Sequence, residues 1–156
     1  MFTKAAKSLK EGEEVIVDGP FGIFTVNYWN QPLVLIAGGV GITPFFSIIK
    51  DSINKKRSRD IVLLYGSRNK EEIIFQKELD SIDRKWFRKV YVLSGQKADG
   101  FERGKIDKDL IQKYVKDIDN ALFYICGPEG MKDSVQSALM ELGVKSRRIL
   151  IEDFFW

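Results

Sequence analysis

The residues of this chain best suited to handle a ligand come in short groups. They are Gly38-Gly39-Val40-Gly41-Ile42-Thr43-Pro44, then Ser67-Arg68, then Cys126-Gly127-Pro128-Glu129-Gly130-Met131. In the first group, glycines at 38, 39 and 41 remove the Cβ atoms that would hold a bulky anion off the main chain. The free N–H groups of a helix beginning there would point at that anion. Thr43 suits the N-cap and also offers a hydroxyl, and Pro44 suits the first helical position, where a missing N–H costs nothing. This local pattern fits a phosphate cradle, and it fits equally an ordinary strand-to-helix turn. Arg68, with the Ser67 hydroxyl beside it and Lys70 nearby, presents a planar fork to phosphate oxygens, unless it is simply an exposed loop arginine. Cys126 ends an apolar run, where a cysteine is more often a small core residue than a reactive one.

Composition removes other chemistries. Among 156 residues there is no histidine and one cysteine, which excludes histidine-based triads, histidine metal ligands, an internal disulfide and an all-cysteine metal or iron–sulfur site. A formal charge of +3, from 25 basic and 22 acidic residues, implies no polyanion partner, so no nucleic acid is expected. The cluster Lys55-Lys56-Arg57-Ser58-Arg59 reads as a solvated loop. A lone thiol and the lack of a recognisable signal peptide suit a cytoplasmic setting. From Gly19 through Ile49 no residue is charged, but glycines, prolines and asparagines interrupt the stretch. It reads as buried strands and a helix start, with no membrane contact of its own.

The elements that must position these groups follow from hydrophobic periodicity. Thr3 caps a short helix closed by a turn at Glu11-Gly12-Glu13; Glu14–Asp18 and Ile23–Tyr28 read as short strands around a Gly19-Pro20-Phe21-Gly22 turn. This opening holds too little material for a core of its own. From Leu33 strand and helix alternate strictly, with strands at Leu33–Ala37, Ile61–Tyr65, Lys89–Ser94, Ala121–Cys126 and Arg148–Glu152. Helices are expected from Pro44 to Asn54, Glu71 to Asp83, Asp107 to Val115 and Glu129 to Leu142, with a polar loop over Gly95–Lys105. Alternating units of this size predict an α/β fold built on a doubly wound five-stranded parallel sheet.

Such sheets bind ligands at the carboxyl ends of their strands, near the point where strand order reverses. The second strand ends where a nucleotide-binding sheet reads the adenosine ribose, with an acid for a free 2′-hydroxyl or a cation for a 2′-phosphate. No acid appears before Glu71, so Ser67 and Arg68 favour a 2′-phosphate. With a diphosphate on the first turn, a nicotinamide ring would lie beside Cys126.

Gly19-Pro20-Phe21-Gly22, the Gly38–Pro44 turn, Tyr65-Gly66-Ser67-Arg68, Cys126-Gly127-Pro128-Glu129-Gly130-Met131 and Glu152-Asp153-Phe154 occur in this order in the ferredoxin-NADP reductase superfamily, which the chain resembles over nearly its whole length. The finer likeness is to the ferric reductase and NADPH oxidase branch. The resemblance implies a Rossmann-like NAD(P)-binding domain over residues 31–156, preceded over 1–30 by the end of a flavin-binding β-barrel. It implies hydride passing from a reduced nicotinamide, NADPH by preference and NADH second, to FAD. The electrons would then go to ferric iron, haem or an iron–sulfur protein. By the resemblance Gly38, Gly39, Val40, Gly41, Ile42, Thr43 and Pro44 hold the diphosphate and nicotinamide end. Ser67 and Arg68 hold the 2′-phosphate, and Gly127, Pro128 and Met131 border the ring. Cys126 and Glu152 flank its C4, Phe154 stacks on the flavin, and Thr3 is a remnant flavin-phosphate contact. The barrel that carries the family's principal flavin motif is not in this sequence, so the expected partner is a flavin domain of the same or another chain. On the cytoplasmic face of a membrane-bound reductase such a chain would have the same contacts. A redox-sensing nucleotide module without hydride transfer is the alternative.

Overall fold

Leu33–Gly38 (β1) is apolar at every position because both of its faces and both of its edges are covered, and all six residues are buried. In the computed structural model, which describes residues 6–19, 22, 24–26 and 31–153, β1 pairs in parallel with Ile61–Ser67 (β2) on one side and Leu122–Cys126 (β5) on the other. Phe87–Leu93 (β3) and Glu102–Arg103 (β4) extend the sheet beyond β2, and Ile149–Glu152 (β6) extends it beyond β5. The order is β4-β3-β2-β1-β5-β6, every pair parallel. The chain therefore winds outward from β1, then returns to its other side, and the reversal falls between β1 and β5.

Side chains on alternate strand positions sort onto two faces. Leu33, Leu35 and Ala37 pack with Ile42, Phe45 and Ile49 of Ile42–Asn54 (α1) and with Leu79 of Gln76–Asp80 (α2). Val34 and Ile36 pack with Leu110 and Ile111 of Lys108–Tyr114 (α3) and with Val135 and Leu139 of Glu129–Glu141 (α4). The sheet is doubly wound, as the sequence pattern predicts.

Several local expectations are corrected. The sheet has six strands, because Glu102 and Arg103, inside the expected polar loop, pair with Val92 and Leu93 at the edge. The helix expected over Glu71–Asp83 breaks into a 3₁₀ turn at Lys70–Glu72 and the five-residue α2, separated by Phe75 in the left-handed region (φ +58°). Phe75 takes that conformation while stacked on Phe46, ring centroids 4.2 Å apart. Residues 14–18 form no strand among the described residues; they have no neighbouring strand, and Val15, Ile16 and Val17 are exposed. Residues 24–26 are likewise irregular, though Phe24 packs edge-on against Tyr124, whose hydroxyl donates to the Thr25 carbonyl at 3.0 Å. The turn at Gly12 (φ +91°) forms, and residues 6–8 are helical, but Thr3, its expected cap, lies outside the described residues, as do Pro20, Phe21 and Phe154. Among the described residues no helix is long and apolar enough to cross a membrane.

Candidate nucleotide site

The glycines after β1 and β5 are required, for the most part, by the meeting of two loops at the point of reversal. A Cβ on Gly41 would lie 2.1 Å from the Cys126 carbonyl oxygen, and one on Gly127 would lie 3.0 Å from the Gly38 backbone and 2.7 Å from Met131 Cε. On Gly38 it would press on Met131 Sδ at 2.7 Å and Pro128 Cδ at 2.8 Å. Gly39 differs: its φ is +52°, and a Cβ there would meet nothing within 4 Å. Of the three glycines in the Gly38–Gly41 turn, Gly39 alone leaves an open side, and it lines the cleft described below.

The 3₁₀ turn Gly39–Gly41 runs straight into α1, so the helix starts at Ile42 with Gly41 as its N-cap. Thr43 is thus not the cap. It sits in the first turn with its hydroxyl donating to the Val40 carbonyl at 3.1 Å, and Pro44 is the third helical residue, still where its missing N–H is harmless.

Above the carboxyl ends of β1, β2 and β3 lies a cleft of about 590 Å³. Gly38, Gly39, Val40, Ser67, Arg68, Pro128 and Met131 line it, as the sequence pattern groups them. Gly41, Ile42, Thr43, Pro44, Gly127, Cys126 and Glu152 do not line it; Gly41, Ile42 and Cys126 are buried beside it. The 3₁₀ turn that leads into α1 and the first turn of α4 both border this space, so the positive ends of two helix dipoles lie near it. Arg68 and Lys105 add cations.

Sequence reasoning missed part of the wall. Glu72 and Ile74 line the cleft because the helix expected there is broken, and Asn69 holds the Glu72 carboxylate through Nδ2 at 2.8 Å. Lys105 and Ile106 come from the loop beyond β4, and Ser134 from the second turn of α4. The acid at 72 was visible in the sequence, but as one of a pair at an apparent helix start, where acids serve the dipole.

Cys126 and Glu152 come together across the β5–β6 pair, where they are register partners. Burial, and then the Glu152 charge, pushes the Cys126 thiol up to about 11, so it is no thiolate nucleophile near neutrality. Lys132 on α4, 5% exposed, donates to the carboxylates of Asp153 and, at 2.8 Å, of Glu129. Those hydrogen bonds raise its ammonium pKa, and they tie the chain after β6 to the head of α4. No group of side chains suited to a metal occurs among the described residues.

A cleft over the carboxyl edge of a parallel sheet, at its point of reversal and between two helix starts, defines a doubly wound nucleotide-binding domain. The chain belongs to the oxidoreductase NAD-binding domain family, whose model matches residues 35–137. Over 94% of its length it is 34% identical to one component polypeptide of the Na(+)-translocating NADH-quinone reductase of Pseudoalteromonas atlantica, and it spans 38% of that polypeptide. The flavohaem-like FAD/NAD-binding domain of a nitric oxide dioxygenase from Vibrio cholerae superposes with a TM-score of 0.78 at 29% identity, covering 86% of this chain and 56% of that one. The ferredoxin-NADP+ reductase of Plasmodium falciparum shares the fold, with a TM-score of 0.74 at 23% identity over 95% of this chain and 63% of that one. The chain is thus an oxidoreductase-type NAD-binding domain with the ferredoxin reductase fold, as its motifs imply.

Proposed function

We propose that this chain binds NADH in the cleft and presents its nicotinamide to FAD held mainly by a separate flavin domain. The observation that carries the reading is the open face of Gly39 between two helix starts, where packing fills the other glycines of the Gly38–Gly41 turn. When bound, the nicotinamide supplies the hydride and the flavin takes it on; the protein's task is to position the two. Gly39 and Val40 hold the diphosphate, with Ser67 and Arg68 on the adenosine ribose. Pro128 and Met131 border the way to the nicotinamide end, where Cys126 and Glu152 shape the approach and Phe154 covers the flavin. Residues 1–30, with Thr3, belong on this reading to the flavin-domain side, and the exposed Val15, Ile16 and Val17 are apolar surface that such a domain would cover. The electron acceptor would be reached through that domain, on the cytoplasmic side.

The preference for NADH departs from the 2′-phosphate reading of Arg68. Glu72 shares the wall with Arg68, and its carboxylate would accept from a free 2′-hydroxyl and oppose a 2′-phosphate. The name of the Pseudoalteromonas relative, an NADH-quinone reductase, supports the same choice. Titration calorimetry with AMP and 2′-phospho-AMP tests both levels. AMP should bind at least as tightly as 2′-phospho-AMP. Glu72→Gln should raise the affinity for the phosphorylated fragment about tenfold, the size of one charge-assisted hydrogen bond. Tighter binding of 2′-phospho-AMP, lost in Arg68→Ala, would restore NADPH as the donor; no binding of either fragment would overturn the nucleotide site.

A further inference from the structure

One buried hydroxyl bonds to a residue in each half of the cleft. Tyr65, in β2, is fully buried on the α1 side of the sheet, yet its hydroxyl donates to the Gly39 carbonyl at 2.9 Å and accepts from the Ile74 N–H at 3.1 Å. Both Gly39 and Ile74 line the cleft, and on the proposed reading Gly39 belongs to the turn that faces the diphosphate and Ile74 to the wall at the adenosine end. Burial raises the pKa of this hydroxyl, so it keeps the proton that it donates.

Each contact fixes a conformation that the chain would not keep alone. The Gly39 carbonyl also accepts from the Ile42 N–H, so both lone pairs of that oxygen are engaged on the helix side. In a trans peptide the Val40 N–H points opposite to that carbonyl, away from Tyr65. The hydroxyl therefore sets the direction of a cleft-side donor without touching the cleft. At the other contact, Ile74 precedes Phe75, a non-glycine residue at φ +58°, a conformation that persists only where its surroundings impose it. The Phe75–Phe46 stack restrains one side of Ile74 and the Tyr65 hydroxyl restrains its N–H. Ile74 is thereby held 37% exposed against the cleft, where an apolar side chain gains nothing from the protein itself.

We propose that Tyr65 is a positioning residue that locks the diphosphate turn and the adenosine wall into one unit, so that a ligand touching only the wall also orders the turn. This rests on the nucleotide reading above and adds a coupling between its two ends. Tyr65→Phe removes the hydroxyl and keeps the ring, and amide NMR with two ligands separates coupling from general loosening. Adenosine, which has no phosphate to reach the turn, should shift the amides of Ile74 and of Gly39–Gly41 in the wild type, but only those near Ile74 in Tyr65→Phe. ADP-ribose should lose about tenfold in affinity in the variant, while adenosine changes less than twofold. Equal weakening of both ligands, or unchanged binding of ADP-ribose, would overturn the proposal. If Tyr65→Phe does not fold, the wild type alone decides, because adenosine shifts confined to the wall would refute coupling. Failure of the wild type to bind either ligand would instead remove the nucleotide reading, and this inference with it.

Discussion

The two sides of the cleft are built on opposite terms. Where β1 meets β5, Gly38, Gly41, Gly127 and Cys126 are packed against one another and carry no charge, and the backbone of one loop rests on that of the other. At the end of β2 and in the broken segment that follows, Arg68, Glu72 and Ile74 stand exposed and line the cleft. The first side is determined by the fold and tolerates little change; the second, on the proposed reading, is determined by the nucleotide it binds. A glycine-rich turn read as one ligand motif is therefore mixed, with most of its glycines serving the seam and Gly39 serving the cleft.

Gly41→Ala strikes that division hardest. Its Cβ would meet a backbone carbonyl carbon and oxygen, at 2.5 and 2.1 Å, and a carbonyl cannot swing aside as a side chain can. Either α1 or the end of β5 must move, which we expect to cost about 3 kcal/mol. For a domain of this size that lowers the melting temperature by roughly 10 °C. A thermal scan showing a loss of only a degree or two would mean that the seam is not as rigid as its contacts imply.

The seam also has a pH signature. Because the Cys126 thiol titrates near 11 in the fold against 9.0 as its ordinary value, the folded state holds its proton more tightly than the unfolded chain does. Stability attached to this group is complete below about pH 9 and falls as pH rises toward 11, by something on the order of 2 kcal/mol. Other groups titrate there as well, so the useful quantity is the difference between the wild type and Cys126→Ala in urea unfolding. That difference should shift against the wild type between pH 9 and 11 and stay constant from pH 6 to 8. A constant difference throughout would show that the thiol is not held in its protonated form.

How far this division was legible in the sequence depends on range. The uninterrupted apolar runs at Leu33, Ile61 and Leu122 read as strands covered on both faces, and the helix expected from Asp107 forms as α3, capped by Asp107, whose carboxylate accepts from the Leu110 N–H at 2.9 Å. The grouping of Gly39, Ser67, Arg68 and Met131 also followed, because strand ends of a parallel sheet converge. Glu72 and Ile74 were not legible as wall residues. Periodicity favoured a continuous helix there, and the Phe75–Phe46 stack that accompanies the break joins residues far apart in sequence. Residues 14–18 failed for the converse reason: strand propensity was present, but a strand needs a neighbour to bond with, and the described residues supply none. The Tyr65 hydroxyl was invisible altogether, since a tyrosine ending a buried strand does not announce which loops it will join.

Gly39→Ala has the smallest expected effect on stability and separates the two causes most cleanly. The left-handed backbone at φ +52° costs an alanine about 1 kcal/mol relative to glycine, and no atom stands within 4 Å of the new Cβ to add a clash. The melting temperature should thus fall by only about 3 °C. The methyl group nonetheless occupies the open face on which the proposed diphosphate rests, so ADP-ribose affinity should fall by tenfold or more while adenosine, which stops short of the turn, binds as before. The pair of variants then forms a crossed test: alanine at 41 unsettles the fold through the seam, and alanine at 39 spares the fold and blocks the ligand. A Gly39→Ala protein as unstable as Gly41→Ala would place residue 39 in the seam. One that binds ADP-ribose normally would move the diphosphate elsewhere in the cleft, leaving the N–H groups at the start of α4 as the remaining donors for it.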